Sequence, residues 1–313
     1  MTTILHLGLG SFHRAHQALY IHELRQRGDT EWSITGGNLR PDMLATMAAL
    51  QAQGGAYTLE TVTPQGERSY IRIESIQKVI PYQDDLAPLI AAGAEAATRI
   101  ISFTVTEAGY YLDAKNQLDW ATFADLRADL EAVKAGRAGH TIYGGLVSIL
   151  RARMHSGAGA VTLMNCDNLR HNGERSRAGL LQFIDALGDT ALKAWVEQNT
   201  SSPNAMVDRI TPRPTPDVAD FAQAHGIATV PIPMLSDDAS RRVMFDEVHA
   251  DFSEPVAQPV ADCGSQRRFI ALAGIVDPVG LGIAAQSQQR RRNQPVRAHQ
   301  DPLDRYVMSP RIV

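Results

Sequence analysis

Two glycines separated by one residue follow the first apolar run of the chain and precede a helical pattern. The run spans residues 3–8, and the glycines are Gly8 and Gly10. In a strand, glycine turn and helix of this kind, backbone N–H groups can approach a diphosphate, whose negative charge the helix dipole favours. His13 replaces the third glycine of the dinucleotide fingerprint, and no acidic residue ends the second predicted strand. The turn therefore indicates either a dinucleotide site or a plain strand-to-helix connection.

Polar side chains end two later predicted strands. Glu107 ends the apolar run 99–107, and Asn168 ends the run 160–168. Open α/β sheets bind ligands at the carboxyl ends of their strands, and an Asn amide there can donate to an alkoxide or ketone oxygen. Both residues are therefore site candidates. The alternatives are a helix-capping or loop carboxylate at Glu107 and an Asx-turn at Asn168.

A segment bounded by two prolines carries an acidic and a basic residue side by side. Asp208 and Arg209 lie between Pro203 and Pro212. Proline fixes the backbone angle φ, so the directions of the neighbouring side chains are restricted. The pair could orient a substrate, or its two charges could simply neutralise each other.

Four of the ten histidines lie within the first 22 residues of the chain. They are His6, His13, His16 and His22. No carboxylate completes an H-E-x-x-H-like set, and Arg14 would repel a cation held by its two histidine neighbours. We therefore expect no metal site. We expect these side chains and Arg14 to line the mouth of the cleft, where they form hydrogen bonds with phosphate or neighbouring loops.

Strand and helix patterns alternate through the first two-thirds of the chain. Strands are predicted at 3–8, 32–38, 99–107 and 160–168, and helices at 15–28, 41–53, 84–96, 141–154 and 174–198. A β-rich insertion is predicted at 56–62 and 68–80, around a PQGE turn. This alternation predicts an α/β fold in which helices cover a mostly parallel sheet.

Composition changes in the last third of the chain. Residues 263–313 contain eight Arg, three Asp, no Glu and no Lys, which gives them a formal charge of +5. We predict a dinucleotide-binding domain at 1–218 and an incomplete or atypical C-terminal substrate-domain region at 219–285. A disordered tail is predicted at 286–313.

Charge, hydropathy and cysteine content narrow the class of protein. A formal net charge of −4 and a pI near 6.2 give no general attraction to nucleic acid or to acidic membranes. No stretch reaches the roughly 18 to 20 apolar residues of a membrane span. The two cysteines, Cys166 and Cys263, cannot form a framework of several disulfides and make no C-x-x-C pair, so we expect a reducing, cytoplasmic setting. Neither G-x-S-x-G nor G-x-x-x-x-G-K-[ST] occurs, which argues against serine hydrolases and P-loop enzymes.

Four separated blocks of sequence resemble the polyol-specific long-chain dehydrogenases. The blocks are LHLGLGSFHRAHQALY (5–20), TVTEAGYYL (104–112), LMNCDNLRHNGE (163–174) and PNAMVDRITPRP (203–214). The resemblance covers residues 3–218 and implies a Rossmann-type domain with metal-independent, NAD-dependent hydride transfer. The strings ETVTPQGE, SIQKVIPYQ and NCDNLRHNGER resemble most the members that oxidise D-arabinitol to D-xylulose. Mannitol 2-dehydrogenases and fructuronate reductases are the alternatives within the family.

The resemblance implies cofactor-binding roles for five residues. Gly8 and Gly10 match the family's shortened glycine turn, and Phe12 lies beside the cofactor there. Asp42 takes the ribose-side role expected of an acid after the second strand. Glu107 matches the carboxylate of the T-x-T-E-x-G-Y block, which also belongs to the cofactor side of the site.

The resemblance also implies two catalytic residues in this chain and a third that is not found. Asn168 matches the amide that polarises the reacting oxygen, and Asp208 the acid of the V-D-R-I-T-P block. In the family, a K-x-R-x-L-N-x-x-H segment supplies a catalytic Lys, a suitable base for the alcohol proton. The last lysine here is Lys193, so we expect turnover to be slow. The alternatives are a non-catalytic NAD-binding remnant or regulatory module, and a product without function.

Overall fold

The computed structural model describes residues 1–62, 68–205, 207 and 234–237. These residues form two sheets, one of six strands and one of three. The strands are β1 (Thr2–Leu7), β2 (Trp32–Gly37), β3 (Tyr57–Val62), β4 (Arg68–Ile73), β5 (Ile76–Val79), β6 (Thr98–Phe103), β7 (Val161–Asn165), β8 (Thr200–Ser201) and β9 (Met234–Asp237).

Eight α-helices connect these strands within the described residues. They are α1 (Ser11–Ala15), α2 (Gln17–Gln26), α3 (Leu44–Ala52), α4 (Ala87–Gly93), α5 (Ala124–Lys134), α6 (Ile142–Ser156), α7 (Asn172–Leu187) and α8 (Thr190–Asn199). A 3₁₀ helix spans Glu107–Tyr110. None of the described helices is both long and apolar enough to cross a membrane.

The six-stranded sheet is parallel throughout, with the order β5-β2-β1-β6-β7-β8. From β1 the chain adds strands to one side as far as β5, and it then returns to place β6 on the other side of β1. The connections after β1 and β6 therefore leave the sheet in opposite directions, and a crevice opens between them at the carboxyl ends of these strands. The predicted α/β fold with a mostly parallel sheet is confirmed.

Helices cover both faces of this sheet, because neighbouring residues of each buried strand point to opposite sides. In β1, Ile4 belongs to the core under α2 and α3, and Leu5 belongs to the core under α4, α6 and α7. Both side chains are fully buried. The same division recurs in β6, where Ile100 and Ile101 belong to the first and second core respectively.

The β-rich insertion is smaller than the sequence predicts. Strands β3 and β4 form an antiparallel pair, which β9 joins parallel to β3. Strand β5, however, pairs with β2 in the main sheet. The reason lies at Ser75, whose hydroxyl donates to Ala18 O (2.6 Å) and whose carbonyl accepts from Ile34 N (3.0 Å). These bonds fix the chain at the edge of β2 before β5 begins.

Two predicted helices differ from the observed ones. The predicted helix 15–28 corresponds to α2, which the separate short helix α1 precedes, with a break at His16. The predicted helix 174–198 breaks where Gly188 adopts a left-handed conformation (φ +72°) and Asp189 caps α8 by accepting from Leu192 N (3.0 Å). Helix α5 was not predicted at all.

The predicted boundary at residue 218 lies outside the described residues. So do the tail 286–313 and the region 219–285, apart from β9. The strand predictions 99–107 and 160–168 run past the observed ends of β6 and β7. Their last residues belong to the loops at the carboxyl edge of the sheet.

Candidate functional site

The glycine turn after β1 is open on its outer side. Gly8 N donates to Gly37 O (2.8 Å), and Gly10 N donates to Gly8 O (2.7 Å). Gly8 has a φ of +105°, which favours glycine, and a Cβ built on it would meet no atom within 4 Å. At Gly10 the nearest atom to such a Cβ is Gly8 O at 3.9 Å. The backbone is therefore accessible over the turn, as binding of a diphosphate would require.

The turn is held against the end of β2. The side chain of Leu9 lies on Gly36 and leaves no room there for a Cβ. Leu9 N donates to Oδ1 of Asn38 (3.0 Å), and Nδ2 of Asn38 donates to Asp42 O (3.1 Å). Asp42 itself is exposed after β2, where the ribose-side acid was predicted.

Two buried histidines lie beneath the turn. The rings of His6 and His13 stack with their centroids 3.5 Å apart, and both side chains are almost completely buried. His6 Nε2 donates to Gly8 O (3.0 Å), and Nδ1 is 2.8 Å from Ser102 Oγ. Burial lowers the pKa of His6 to about 3 and that of His13 well below its usual value. Both rings are therefore neutral near pH 7.

The expectation that the four early histidines and Arg14 line the mouth of the cleft is wrong. All five side chains are buried. The guanidinium of Arg14 donates to Leu9 O (2.5 Å), so it supports the turn from inside. Phe12 is half-buried and stacks on His16, with ring centroids 5.2 Å apart. The space over Gly8 remains open beside Phe12.

Segments after β6 and β7 contact each other at the same edge of the sheet. The hydroxyl of Tyr110 donates to Asp167 Oδ2 (2.7 Å) and accepts from Asn165 Nδ2 (2.6 Å). Tyr110 ends the 3₁₀ helix that Glu107 begins, and Glu107 is exposed. The contact therefore fixes the loop that carries Glu107 against the loop that carries Asn168.

An Asx-turn is present after β7, but Asp167 makes it. Asp167 Oδ1 accepts from Leu169 N (3.1 Å). Asn168 is exposed, so its amide is accessible to a ligand at this edge. The carboxyl of Asp167 is buried, and this burial raises its pKa against the opposing effect of its hydrogen bonds.

Asn172 fastens the segment that precedes Asp208. Its Nδ2 donates to Ala205 O (2.6 Å), and its Oδ1 accepts from Ala205 N (2.8 Å). Its Nδ2 also lies 3.1 Å from Asp167 O. Asp208 lies outside the described residues, and its predicted role stays a prediction.

The described candidates follow four neighbouring strands at one edge of the sheet. Gly8, Gly10 and Phe12 follow β1, Asp42 follows β2, Glu107 follows β6 and Asn168 follows β7. The structure thus brings them to the crevice where open parallel sheets bind ligands. Among the described residues, no group of three or more His, Cys, Asp or Glu side chains could hold a metal ion.

Sequence reasoning missed the residues that support these loops. They are Asn38, Tyr110, Asp167 and Asn172. Tyr110, Asp167 and Asn172 lie within the blocks that carry the resemblance, and Asn38 ends the second predicted strand. Their partners are separated from them by up to 57 positions in the chain, so only the fold reveals the contacts.

A parallel sheet whose strand order reverses beside an open glycine turn defines the class of dinucleotide-binding, Rossmann-type domains. The particular family follows from comparison of the whole sequence. The chain belongs to the mannitol dehydrogenase family, because the model of the mannitol dehydrogenase Rossmann domain matches residues 2–226.

Relatives with assigned activities are dehydrogenases of polyols. The D-arabinitol 4-dehydrogenase of Ralstonia nicotianae is 56% identical over 217 residues, which are 69% of this chain and 45% of that protein. The mannitol 2-dehydrogenase of Cereibacter sphaeroides is 37% identical over 248 residues, 79% of this chain and 50% of that protein. The chain therefore spans about half the length of the curated relatives it matches.

Solved structures give the same fold. The ternary complex of Pseudomonas fluorescens mannitol 2-dehydrogenase with NAD and D-mannitol matches 75% of this chain and 47% of that one. It has 34% identity and a TM-score of 0.68. The match to a substrate-free D-sorbitol dehydrogenase covers 75% of this chain and 48% of that one, with 32% identity and a TM-score of 0.65.

Proposed function

We propose that the chain binds NAD and acts as an NAD-dependent polyol dehydrogenase, with D-arabinitol as substrate and D-xylulose as product. The observation that carries the proposal is the open turn Gly8 to Gly10 at the point where the strand order reverses. The choice of D-arabinitol is supported by two D-arabinitol 4-dehydrogenases that are 56% and 52% identical to this chain. Mannitol 2-dehydrogenases are less similar, at 37% identity or lower.

The residues at the carboxyl edge suit the parts of a dinucleotide. Gly8 and Gly10 leave space for a diphosphate over the turn, and Asp42 is exposed where the hydroxyls of a ribose would lie. Glu107 is exposed after β6, on the other side of the crevice. Bound NAD would supply an acceptor for the hydride that leaves the alcohol carbon.

On the substrate side, Asn168 donates to the reacting oxygen. Its exposed amide can stabilise the negative charge that develops on that oxygen as the alcohol loses its proton. Asp208 is proposed as the acidic partner in the same step. A base for the alcohol proton typically increases the rate of the chemical step by roughly 10²- to 10⁴-fold. Residues 194–313 contain no lysine, so this chain's turnover is proposed to be slower than its relatives' by at least that factor.

The test uses the purified full chain with NADH and D-arabinitol. Calorimetric titration with NADH measures binding, and the absorbance of NADH formed from NAD and D-arabinitol measures turnover. D-mannitol with NAD, and fructuronate with NADH, serve as alternative substrates, the second being followed by the loss of NADH absorbance. NADH binding with slow, D-arabinitol-selective turnover supports the proposal. Absence of NADH binding refutes it, and a rate equal to that of the relatives refutes the proposed loss of the base.

A second candidate function is an NAD-binding module without catalysis. The absence of a lysine after Lys193 favours it. The same titration separates the two candidates, because NADH binding without detectable turnover for any polyol assigns the chain to the second. We further propose a cytoplasmic location, because two cysteines, Cys166 and Cys263, cannot form the framework of several disulfides that is typical of small secreted proteins. Fractionation of the source cells tests this.

A further inference from the structure

The amide of Asn38 joins two parts of the crevice that would contact different parts of a dinucleotide. Its Oδ1 accepts from Leu9 N in the glycine turn (3.0 Å). Its Nδ2 donates to Asp42 O in the loop after β2 (3.1 Å). The side chain is buried, and its bond to Leu9 N is shielded from water, whereas its bond to Asp42 O is partly buried. A single side chain thus links the diphosphate side of the crevice to the ribose side.

The loop after β2 needs such a link to keep its shape. Helix α3 begins after Met43, a non-glycine residue with a left-handed φ of +61°. This conformation is costly for an L residue and persists only where the surroundings enforce it. The carbonyl of Asp42 precedes Met43 directly and is held by Asn38. The position of the Asp42 carboxylate relative to the turn therefore depends on Asn38.

We infer that Asn38 is a positioning residue that sets the distance between the glycine turn and the Asp42 carboxylate, and thereby the preference for NAD over NADP. This inference rests on the proposed NAD binding. A carboxylate at the ribose favours free hydroxyls, to which it can be hydrogen-bonded, and repels a 2′-phosphate. If Asn38 is changed, the carboxylate moves with its loop and both effects weaken together. Asn38 acts through Asp42 and has no contact with the cofactor of its own.

Two variants remove different parts of the link. Asn38→Ala removes both hydrogen bonds. Asn38→Asp is nearly isosteric and keeps an acceptor for Leu9 N, but it places an oxygen opposite Asp42 O and so breaks only the link to the loop. The control is Gln77→Ala, which removes an exposed amide whose Nε2 donates to Glu74 O. If Asn38→Ala fails to fold, Asn38→Asp still tests the inference.

The readout is the pair of dissociation constants for NADH and NADPH, measured with the full chain well below its melting temperature. We expect both Asn38 variants to bind NADH about tenfold more weakly, because the displaced Asp42 carboxylate would lose one well-placed hydrogen bond to the ribose. In the same variants, we expect the ratio of the NADPH dissociation constant to the NADH dissociation constant to fall. A purely structural role would lower the melting temperature and leave that ratio unchanged. Gln77→Ala should change neither constant.

Asp42→Asn gives the second test, because Asn38 is inferred to act through Asp42. Asp42→Asn alone should lower the ratio, and adding Asn38→Asp to it should not lower the ratio further. Additive effects would show that Asn38 acts independently of Asp42 and would overturn the inference. An unchanged ratio in the Asn38 variants would also overturn it, while leaving NAD binding intact. If the unaltered chain does not bind NADH, the proposed function fails and the inference fails with it.

Discussion

The hydroxyl of Tyr110 donates a hydrogen bond of 2.7 Å to Oδ2 of Asp167, and both side chains are buried at the carboxyl edge of the sheet. Burial raises the pKa of each group. The bond connects the loop of Glu107 to the loop of Asn168, which approach the crevice from neighbouring strands. The relative position of Glu107 and Asn168 therefore depends on the contact between two other side chains, Tyr110 and Asp167.

Breaking the bond between Tyr110 and Asp167 should destabilise the fold. Tyr110→Phe leaves Asp167 Oδ2 without its donor and Asn165 Nδ2 without its acceptor, so we expect a loss of about 1–3 kcal/mol. Asp167→Asn should cost a similar amount, because the new amide cannot satisfy all of its present partners. Urea denaturation measures each loss from the unfolding midpoint.

A double-mutant cycle checks that the loss comes from this bond. The Tyr110→Phe, Asp167→Asn pair should show a coupling energy of about 0.5–3 kcal/mol, as residues in direct contact do. Combination of Tyr110→Phe with the distant Gln77→Ala should be additive within about 0.5 kcal/mol. Additivity in the first pair would mean that the two side chains stabilise the fold independently.

The two glycines of the turn should respond differently to alanine. Gly8 has a φ of +105°, so Gly8→Ala should cost about 1–3 kcal/mol of stability through backbone strain. Gly10 has a φ of −70° and a ψ of 178°, which alanine adopts freely, and its Cβ would meet no crowded atom. Gly10→Ala should therefore leave stability within about 0.5 kcal/mol of the original.

Cofactor binding separates the two alanine variants further. The added methyl at Gly10 would occupy the space proposed for the diphosphate, so NADH should bind at least about tenfold more weakly, a loss of roughly 1.4 kcal/mol. Urea denaturation and NADH titration on the same sample measure both quantities. Unchanged NADH affinity in Gly10→Ala would show that the dinucleotide does not contact this turn.

The parallel sheet and the edge that carries the site follow from local patterns in the sequence. Apolar runs separated by helical segments predict β1, β2, β6 and β7, and a parallel sheet brings the residues that follow them to one edge. Gly8, Glu107 and Asn168 were placed correctly at that edge by this argument. Each prediction needed only residues adjacent in the chain.

The same reasoning could not predict contacts between residues that lie far apart in the sequence. The β-rich pattern of 68–80 does not reveal that β5 leaves the hairpin, because the bond from Ile34 N to Ser75 O joins residues 41 positions apart. The burial of His13 and Arg14 was missed for a related reason. Burial of a polar side chain depends on neighbours that satisfy or stack on it, here Leu9 and His6.

Stability should fall in mild acid because His6 and His13 are buried as neutral rings. Burial lowers the pKa of His6 from 6.5 to about 3 and lowers that of His13 well below 6.5. Below pH 6.5 the unfolded chain binds protons that the folded chain does not, so stability present above this pH is lost as the pH falls towards 3. His6 should contribute a loss of about 2 kcal/mol between about pH 7.5 and about pH 5, and His13 a further loss in the same direction.

Replacement of one ring tests the origin of this pH dependence. His13→Phe keeps a ring stacked on His6 but cannot bind a proton, so it should lose less stability than the unaltered chain over the same pH interval. His155→Gln alters an exposed histidine and serves as the control for replacement of a histidine as such. Equal pH dependence in His13→Phe and the unaltered chain would contradict the burial of His13. Urea denaturation at the two pH values provides the comparison.

Arg153 joins the two segments that lead into β6 and β7. Its replacement should destabilise the fold without altering the crevice. Its fully buried guanidinium donates to five carbonyl oxygens at 2.7 to 3.1 Å. The acceptors belong to Gly93, Glu95, Ala158, Gly159 and Ala160. Burial lowers its pKa to about 10, so the group is still charged near pH 7.

Lysine in place of Arg153 keeps the charge but offers three donors and lacks the planar fork. At least two buried carbonyls then lose their partner, and Arg153→Lys should cost about 2–5 kcal/mol. The matched control is Arg151→Lys on the same helix, where the half-buried pair with Asp189 (3.0 Å) should be worth less than about 1 kcal/mol. NADH affinity measured below the melting temperature should stay unchanged in both variants, because Arg153 lies at the opposite edge of the sheet from the glycine turn. A loss in Arg153→Lys no larger than in Arg151→Lys would show that the five hydrogen bonds contribute little to the fold.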